Sequence, residues 1–593
     1  MKIVLQLVLL FCWANVVVRA QDTDSIAPDV TALPHLQQQK VNPFVKYTGK
    51  RIRSVRIEVL GFERELIDTT KLNRGIGVNV ANALHRRTTI RTANNHLFFK
   101  EGETLNPYLL TDNERYLRDQ PFFQDAIFFV KKAPDNPGEV DVLVLVKDVF
   151  SIGPGFGAGG AKKYRLELKE ENLGGTGTRV AVSTLWDDNR APKYGFGAEL
   201  LRRNVKGSFI NWSVGFQNYR NAFNSGRSEE NFVYLKIEKP LVSQFIPWMG
   251  SLDISYNRTG NYYIPDSLYR NEYRYSFFST DGWLAYNFGA KRLMYMNAKS
   301  TVRKFVAVRG FSQHFFKIPE KYINNFEATY SDVSGMLASF SMFKQNFYRA
   351  NYIYGFGRNE DVPLGFSASV IGGYILKEDS LRNKLRNRPY IGLDGQYSAY
   401  GKNGLYSALT FRLGGYRAEG KMEDVSLLLN AEHFTKLKLL RARWYRRFFL
   451  SGGFSKQFSP VLDQSLFLRS NYGLPYFEYG YSGADLRATL KTEVVFYHTR
   501  RFGGFRFAPF AFGDMIMLKP TKQPLAQADL FSAVGAGLRT RNENLIFGTM
   551  EMRLYYFPRV IENMNHFKIK FNTNLRFRYN SSFIRKPDFV APN

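Results

Sequence analysis

Seven histidines are spread along the chain, at His35, His85, His96, His314, His433, His498 and His566. No two stand three or four residues apart, the spacing that puts two imidazoles on one helix face for a metal. There is no His-Glu-x-x-His run for a zinc protease and no Gly-x-Ser-x-Gly elbow for a serine hydrolase. The single cysteine, Cys12, lies in an apolar N-terminal run, which excludes a disulfide scaffold and a thiolate zinc site. Gly155-x-Gly157-x-x-Gly160 spells a dinucleotide fingerprint, but that motif must open a helix, and Tyr164 to Glu170 alternates as a strand. A flexible hinge is expected there instead. The residue inventory predicts no enzyme, no cofactor and no metal.

What the residues do offer is charge and aromatic mass. Lys and Arg total 82 against 52 Asp and Glu, a formal net charge of +30, and 52 Phe, 35 Tyr and 6 Trp make the chain 16% aromatic. Such an excess fits nucleic acid, an acidic surface or anionic lipid. The N-terminus selects among them. Lys2 precedes the apolar run Ile3 to Trp13, and Val18-Arg19-Ala20 ends on a small residue, the layout of a secretory signal peptide over 1–20. An exported basic chain is expected to meet lipid and not nucleic acid. Basic segments such as Arg382, Lys384 and Arg386, or Lys436, Lys438, Arg441, Arg443, Arg446 and Arg447, would suit lipid phosphates at an outer leaflet. No later stretch reaches the roughly 18 apolar residues of a membrane helix. Membrane residence would therefore require a closed barrel, because lipid tolerates no open strand edge.

Residues 21–48 are polar, with Pro28, Pro34 and Pro43, and read as an extended leader. Over 49–150, Ile52, Val55, Ile57 and Val59 suggest a strand and Val78 to Arg86 a helix. Pro107 to Gln120 reads as a second helix, with Asn106 as N-cap and Pro107 at its first position. Phe122 to Lys132 and Val140 to Val149 read as strands around a Pro134 to Gly138 turn. This order predicts a small α+β domain, followed by a Gly-rich hinge over 151–162.

From 163 to 580 strand follows strand. Phe567, Ile569, Phe571, Thr573 and Leu575 alternate with Lys568, Lys570, Asn572 and Asn574. Met550, Met552 and Leu554 against Glu551 and Arg553, and Leu486, Ala488 and Leu490 against Arg487, Lys491 and Glu493, repeat the scheme. Runs of roughly ten residues match membrane-crossing strands and exceed the usual sandwich strand. The expected fold is mainly β: a transmembrane antiparallel barrel of about 16 strands. Tyr555, Tyr556 and Phe557 would sit in an interfacial girdle, and a wet lumen would take the polar alternate positions. Residues 581–593 form a C-terminal tail.

These elements carry a resemblance. His96 to Pro107, Asn113 to Arg118 and Pro121 to Ala126 resemble a POTRA domain. Tyr164 to Leu168 followed by Glu171-Asn172-Leu173-Gly174-Gly175-Thr176-Gly177 resembles the first strand and turn of the BamA/TamA superfamily, the bacterial surface antigen family of outer-membrane assembly barrels. Leu490 to Glu493 and Phe505 to Asp514 resemble its strands twelve and thirteen. The resemblance implies a protein assisting insertion or export of others at the bacterial outer membrane, with the POTRA-like domain in the periplasm. Its partners would be outer-membrane lipid and periplasmic client or accessory proteins. It further implies a lateral-gate seam where the first strand (Tyr164, Leu166, Leu168) meets the last (Phe571, Asn572, Asn574, Leu575). Where the family carries Val/Ile-Arg-Gly-Phe in a lumen loop, this chain reads Leu468-Arg469 through Phe477. That makes Arg469, Gly473 and Phe477 the loop candidates, and Glu493 and Asp514 the acids they would meet. Val308-Arg309-Gly310-Phe311 lies far upstream of that place. Two alternatives stand beside this reading: a passive pore or structural envelope barrel, and secretion of one dedicated partner. Nothing in the residues names a small-molecule ligand.

Overall fold

The computed structural model describes residues 42–62, 86–158, 162–290, 302–379, 384–461, 465–474, 476–477, 483–502, 505–542, 545, 548–561, 564–575, 585–591 and 593. The expected signal peptide, most of the leader and the expected helix as far as residue 85 lie outside the described residues.

The first folded unit is a small α+β domain of β1 (Arg51–Leu60), α1 (Ile90–Asn95), α2 (Pro107–Asp119), β2 (Phe123–Lys132) and β3 (Glu139–Asp148). Its sheet runs β1-β3-β2, with β3 parallel to β1 and antiparallel to β2. β3 sits centrally, so Val140, Val142, Val144 and Val146 are buried. Helix α2 starts where expected: the Asn106 side chain accepts hydrogen bonds from the Tyr108 and Leu109 amides at 3.0 and 3.3 Å, and Pro107 takes the first turn. The domain begins earlier than position 49. Phe44 is buried in its core and Asn42 donates to the Pro107 carbonyl at 2.9 Å, so the end of the expected leader is packed and not extended.

The barrel strands are β4 (Ile152–Ala158), β5 (Lys163–Leu173), β6 (Thr178–Asp187), β7 (Tyr194–Arg202), β8 (Asn211–Asn221), β9 (Ser228–Lys239) and β10 (Trp248–Thr259). Then come β11 (Ser276–Phe288), β12 (Arg303–Lys317), β13 (Val333–Ala350), β14 (Glu360–Asp379), β15 (Lys384–Tyr400), β16 (Tyr406–Ala418) and β17 (Lys421–Phe434). The last are β18 (Lys438–Arg441), β19 (Trp444–Phe458), β20 (Ala484–His498), β21 (Phe505–Pro520), β22 (Asp529–Asn542), β23 (Thr549–Tyr556) and β24 (Phe567–Leu575). Neighbours in sequence pair around the ring, and β24 meets β4 to close it. β17 and β18 both pair with β19 and form one interrupted stave, so the described residues make a ring of about twenty staves.

That corrects two expectations. The barrel has about twenty strands and not about sixteen, and the expected hinge over 151–162 contains β4, the strand that closes the ring. Gly153, Gly155 and Gly157 alternate with Ile152, Pro154 and Phe156, so β4 keeps a period of two while lacking the polar side chains that mark the inner face elsewhere.

Alternation sets the wall. Leu166 and Leu168, Met552 and Leu554, and Phe567 and Ile569 are exposed outward, whereas Arg487, Arg539 and Glu551 are buried within. The inside is not simply wet. Phe477, Phe510, Phe512, Phe531, Tyr497 and Tyr555 form one buried cluster inside the ring. Tyr555 and Phe557 share the inward parity of Glu551 and Arg553, so only Tyr556 of the expected girdle triplet faces outward.

Candidate functional site

The seam joins two of the shortest staves among the described residues. β4 spans seven residues and β24 nine, against eighteen and twenty for β13 and β14 on another part of the wall. Phe156 and Phe571 face outward across the seam with ring centroids 6.5 Å apart. Tyr164, Leu166 and Leu168 also face outward, but on β5, one strand removed from the seam, which corrects the expected pairing. Asn572 faces inward and donates to the Tyr476 hydroxyl at 3.5 Å. Leu575 pairs in register with Thr549, and the side chains of Asn574 and Leu575 lie outside the described residues.

Beside the seam, two arginines and two glutamates close a buried square. Arg539 on β22 reaches Glu493 at 2.7 Å and Glu551 at 2.8 Å; Arg553 on β23 reaches the same two at 2.7 and 2.6 Å. Glu493 is thus held by strand arginines. Arg469, the expected loop partner, is exposed. Asp514 stands opposite Lys491 across the β20–β21 ladder. The alternation of Arg539 and Arg541 along β22 was a readable sign of inward cations, although their partners lie on other strands.

Two segments fold into the lumen around this square. The β19–β20 connection enters from one end, burying Leu466, Leu468, Leu474 and Phe477, the last against Phe531 and Phe557 at 5.6 and 5.4 Å. Gly473 permits its turn: a Cβ there would lie 2.3 Å from the Leu468 carbonyl oxygen. From the other end, residues 351–359 between β13 and β14 form a strap. Ile353, Tyr354 and Gly355 donate their amides to the Glu360 carboxylate at 2.9, 3.0 and 2.8 Å. Tyr497 donates to the Ile353 carbonyl at 2.7 Å, and Arg539 lies 4.9 Å from the Tyr354 ring centre.

The same strap holds the small domain. Arg358 donates to the Phe123 and Gln124 carbonyls at 2.9 and 2.8 Å, and Asn359 to Asp125 at 3.1 Å. On adjoining β14, Asp361 accepts from Arg118 at 2.9 Å. Barrel turns complete the dock. Phe245 enters the domain core, Phe209 meets Phe98 and Tyr116 at 5.3 and 5.7 Å, and Ser243 donates to Asp112 at 2.8 Å. In the Asn172 to Gly177 turn, Asn172 donates to Thr88 at 2.8 Å. Gly175 has φ +74°, and a Cβ there would lie 2.3 Å from the Arg87 carbonyl oxygen. Burial pushes the Asp112 and Glu114 carboxyls above their ordinary range, against the opposing pull of Arg115 and Arg118. Burial also lowers His96, inside the domain, to about 4.

Among the described residues, no three His, Cys, Asp or Glu side chains gather as a metal site. No family model and no curated protein matches the chain. Solved structures similar to it include BamA from Haemophilus ducreyi lacking POTRA domains 1-3, at 11% identity over 88% of this chain and 84% of that one, with a TM-score of 0.34. CdiB from Acinetobacter baumannii is 11% identical over 88% and 74%, with a TM-score of 0.37. CdiB from Escherichia coli is 10% identical over 88% and 76%, with a TM-score of 0.40.

Proposed function

We propose that this chain resides in a bacterial outer membrane and assists the insertion or export of other proteins, as the resemblance to the BamA/TamA superfamily implies. The small domain, read as POTRA-like, faces the periplasm and offers a sheet edge to an incoming strand. That orientation puts Lys436, Lys438, Arg441 and Arg443, which lie in and around the β17–β19 turn, at the periplasmic rim and not at the outer leaflet.

The observation that carries the reading is a filled lumen beside a short seam. A barrel of this strand number leaves an aqueous channel unless something fills it. Here the strap, the β19–β20 connection and the C-terminal segment pack inside the ring, which weighs against a passive pore. Meanwhile, among the described residues, β4 brings seven residues to the closing ladder. Parting two short staves costs fewer backbone hydrogen bonds than parting long ones, and it exposes donors and acceptors able to template a client strand. The lumen square and the strap brace the wall next to that seam.

The test is a client-folding assay in vesicles of outer-membrane lipid. Proteoliposomes holding the full chain should speed the folding of a urea-denatured outer-membrane barrel at least tenfold over empty vesicles. Equal rates would contradict the reading.

A further inference from the structure

Residues 585–591 and 593 lie against the inner wall in the far half of the lumen. Lys586 pairs with Asp281 on β11 at 2.6 Å, and Asp588 with Arg309 on β12 at 2.6 Å. Arg309 and Arg412 donate to the carbonyls of Pro587 and Phe589 at 3.0 and 2.9 Å, and the Val590 amide donates to the Tyr390 hydroxyl at 3.1 Å. The Phe589 ring lies between Phe311, Tyr390 and Tyr416, with centroids 5.6, 5.0 and 5.9 Å away. Asn593 accepts from Arg487 at 3.0 Å and from the Phe467 amide at 2.9 Å.

These contacts have the form of peptide recognition. Three are made to main-chain atoms and would hold any extended chain. Others read side chains in order: a base at 586, an acid at 588, an aromatic ring at 589. The wall arginines also keep partners of their own besides the tail. Arg309 keeps a two-pronged pair with Asp281 at 2.8 and 2.9 Å, and Arg412 keeps Asp394 at 2.9 Å, each from the neighbouring strand. Arg487 keeps the Phe467 carbonyl at 2.8 Å and Ser455 at 3.2 Å. Departure of the tail therefore leaves Arg309 and Arg412 each beside a carboxylate, which removes the usual obstacle to releasing a charged segment at those two positions.

We propose that the far half of the lumen is a binding track for an extended peptide bearing a basic, an acidic and an aromatic residue in that order, and that residues 585–591 and 593 occupy it in cis as a displaceable stopper. The inference rests on the lumen geometry alone and does not depend on insertase activity.

The test uses a fluorescent peptide of residues 585–593 titrated by anisotropy against purified, folded protein. One protein is the full chain. A second ends at residue 584, and a third is the full chain carrying Asp588→Ala and Phe589→Ala, which keeps the comparison alive if truncation prevents folding. The peptide should bind the second and third at least tenfold more tightly than the first. A peptide carrying Asp588→Lys should lose at least tenfold in affinity for them. Equal binding to all three proteins, no binding to any, or indifference to Asp588→Lys would overturn the proposal.

Discussion

A carboxylate inside a barrel needs a cation within reach, and for Glu493 that need is met by Arg539 and Arg553 and not by the loop residue Arg469. Burying charge costs several kcal/mol per ion unless partners surround it, and removing one partner is worse than removing all. Arg539→Met should therefore lower barrel stability by about 3–5 kcal/mol in urea unfolding, because Glu493 and Glu551 would then share Arg553 alone. His96 gives a pH test in the small domain. Its folded pKa of about 4 lies below the ordinary value of 6.5, so its stabilising contribution is full above pH 6.5 and is lost as pH falls toward 4. Between pH 7 and pH 5 the loss is about 2 kcal/mol. Asp112 and Glu114 have the opposite sign, since their raised values favour the folded state as pH falls. They are common to the wild type and His96→Phe. Subtracting the two unfolding profiles isolates the histidine, and the variant should lack the drop.

Strands declare themselves by period two, and that is why β20, β23 and β24 were legible from Leu486, Met552 or Phe567 and their polar neighbours. Helix α2 was legible from Asn106 and Pro107 because capping is a local matter. β4 was not, because glycine at its inner positions removes the polar half of the alternation. The strap was not either, since Tyr354, Arg358 and Asn359 find partners on β22 and in the domain, more than a hundred residues away. Nor was the placement of the tail, whose partners begin at Asp281. Long-range pairing leaves no mark on the local pattern. Asp361→Asn should weaken docking, because the Arg118 guanidinium stays buried with less to hold it; amide exchange in β2 should accelerate while the barrel strands keep their protection. Gly473→Ala should displace the lumen loop at a cost of about 1–3 kcal/mol, since its Cβ meets backbone and not a movable side chain.

At the scale of the whole molecule, the barrel class followed from alternating runs of roughly ten residues in an aromatic-rich chain. The expected division of labour inside it did not hold. Much of the aromatic mass packs inward, around the β19–β20 loop and the strap, and the lumen is a second core. A bilayer carrying the intact chain should therefore show no steady conductance, and deletion of residues 351–357 should open one. The proposed function puts the work at the β4–β24 seam and not through the lumen. The most direct measurement is client folding in vesicles by a Phe156→Cys, Phe571→Cys protein with Cys12 replaced by Ser, oxidised and then reduced. The oxidised barrel should stop accelerating client folding, and reduction should restore it. Undiminished activity in the fully cross-linked barrel would rule out a seam that opens to clients.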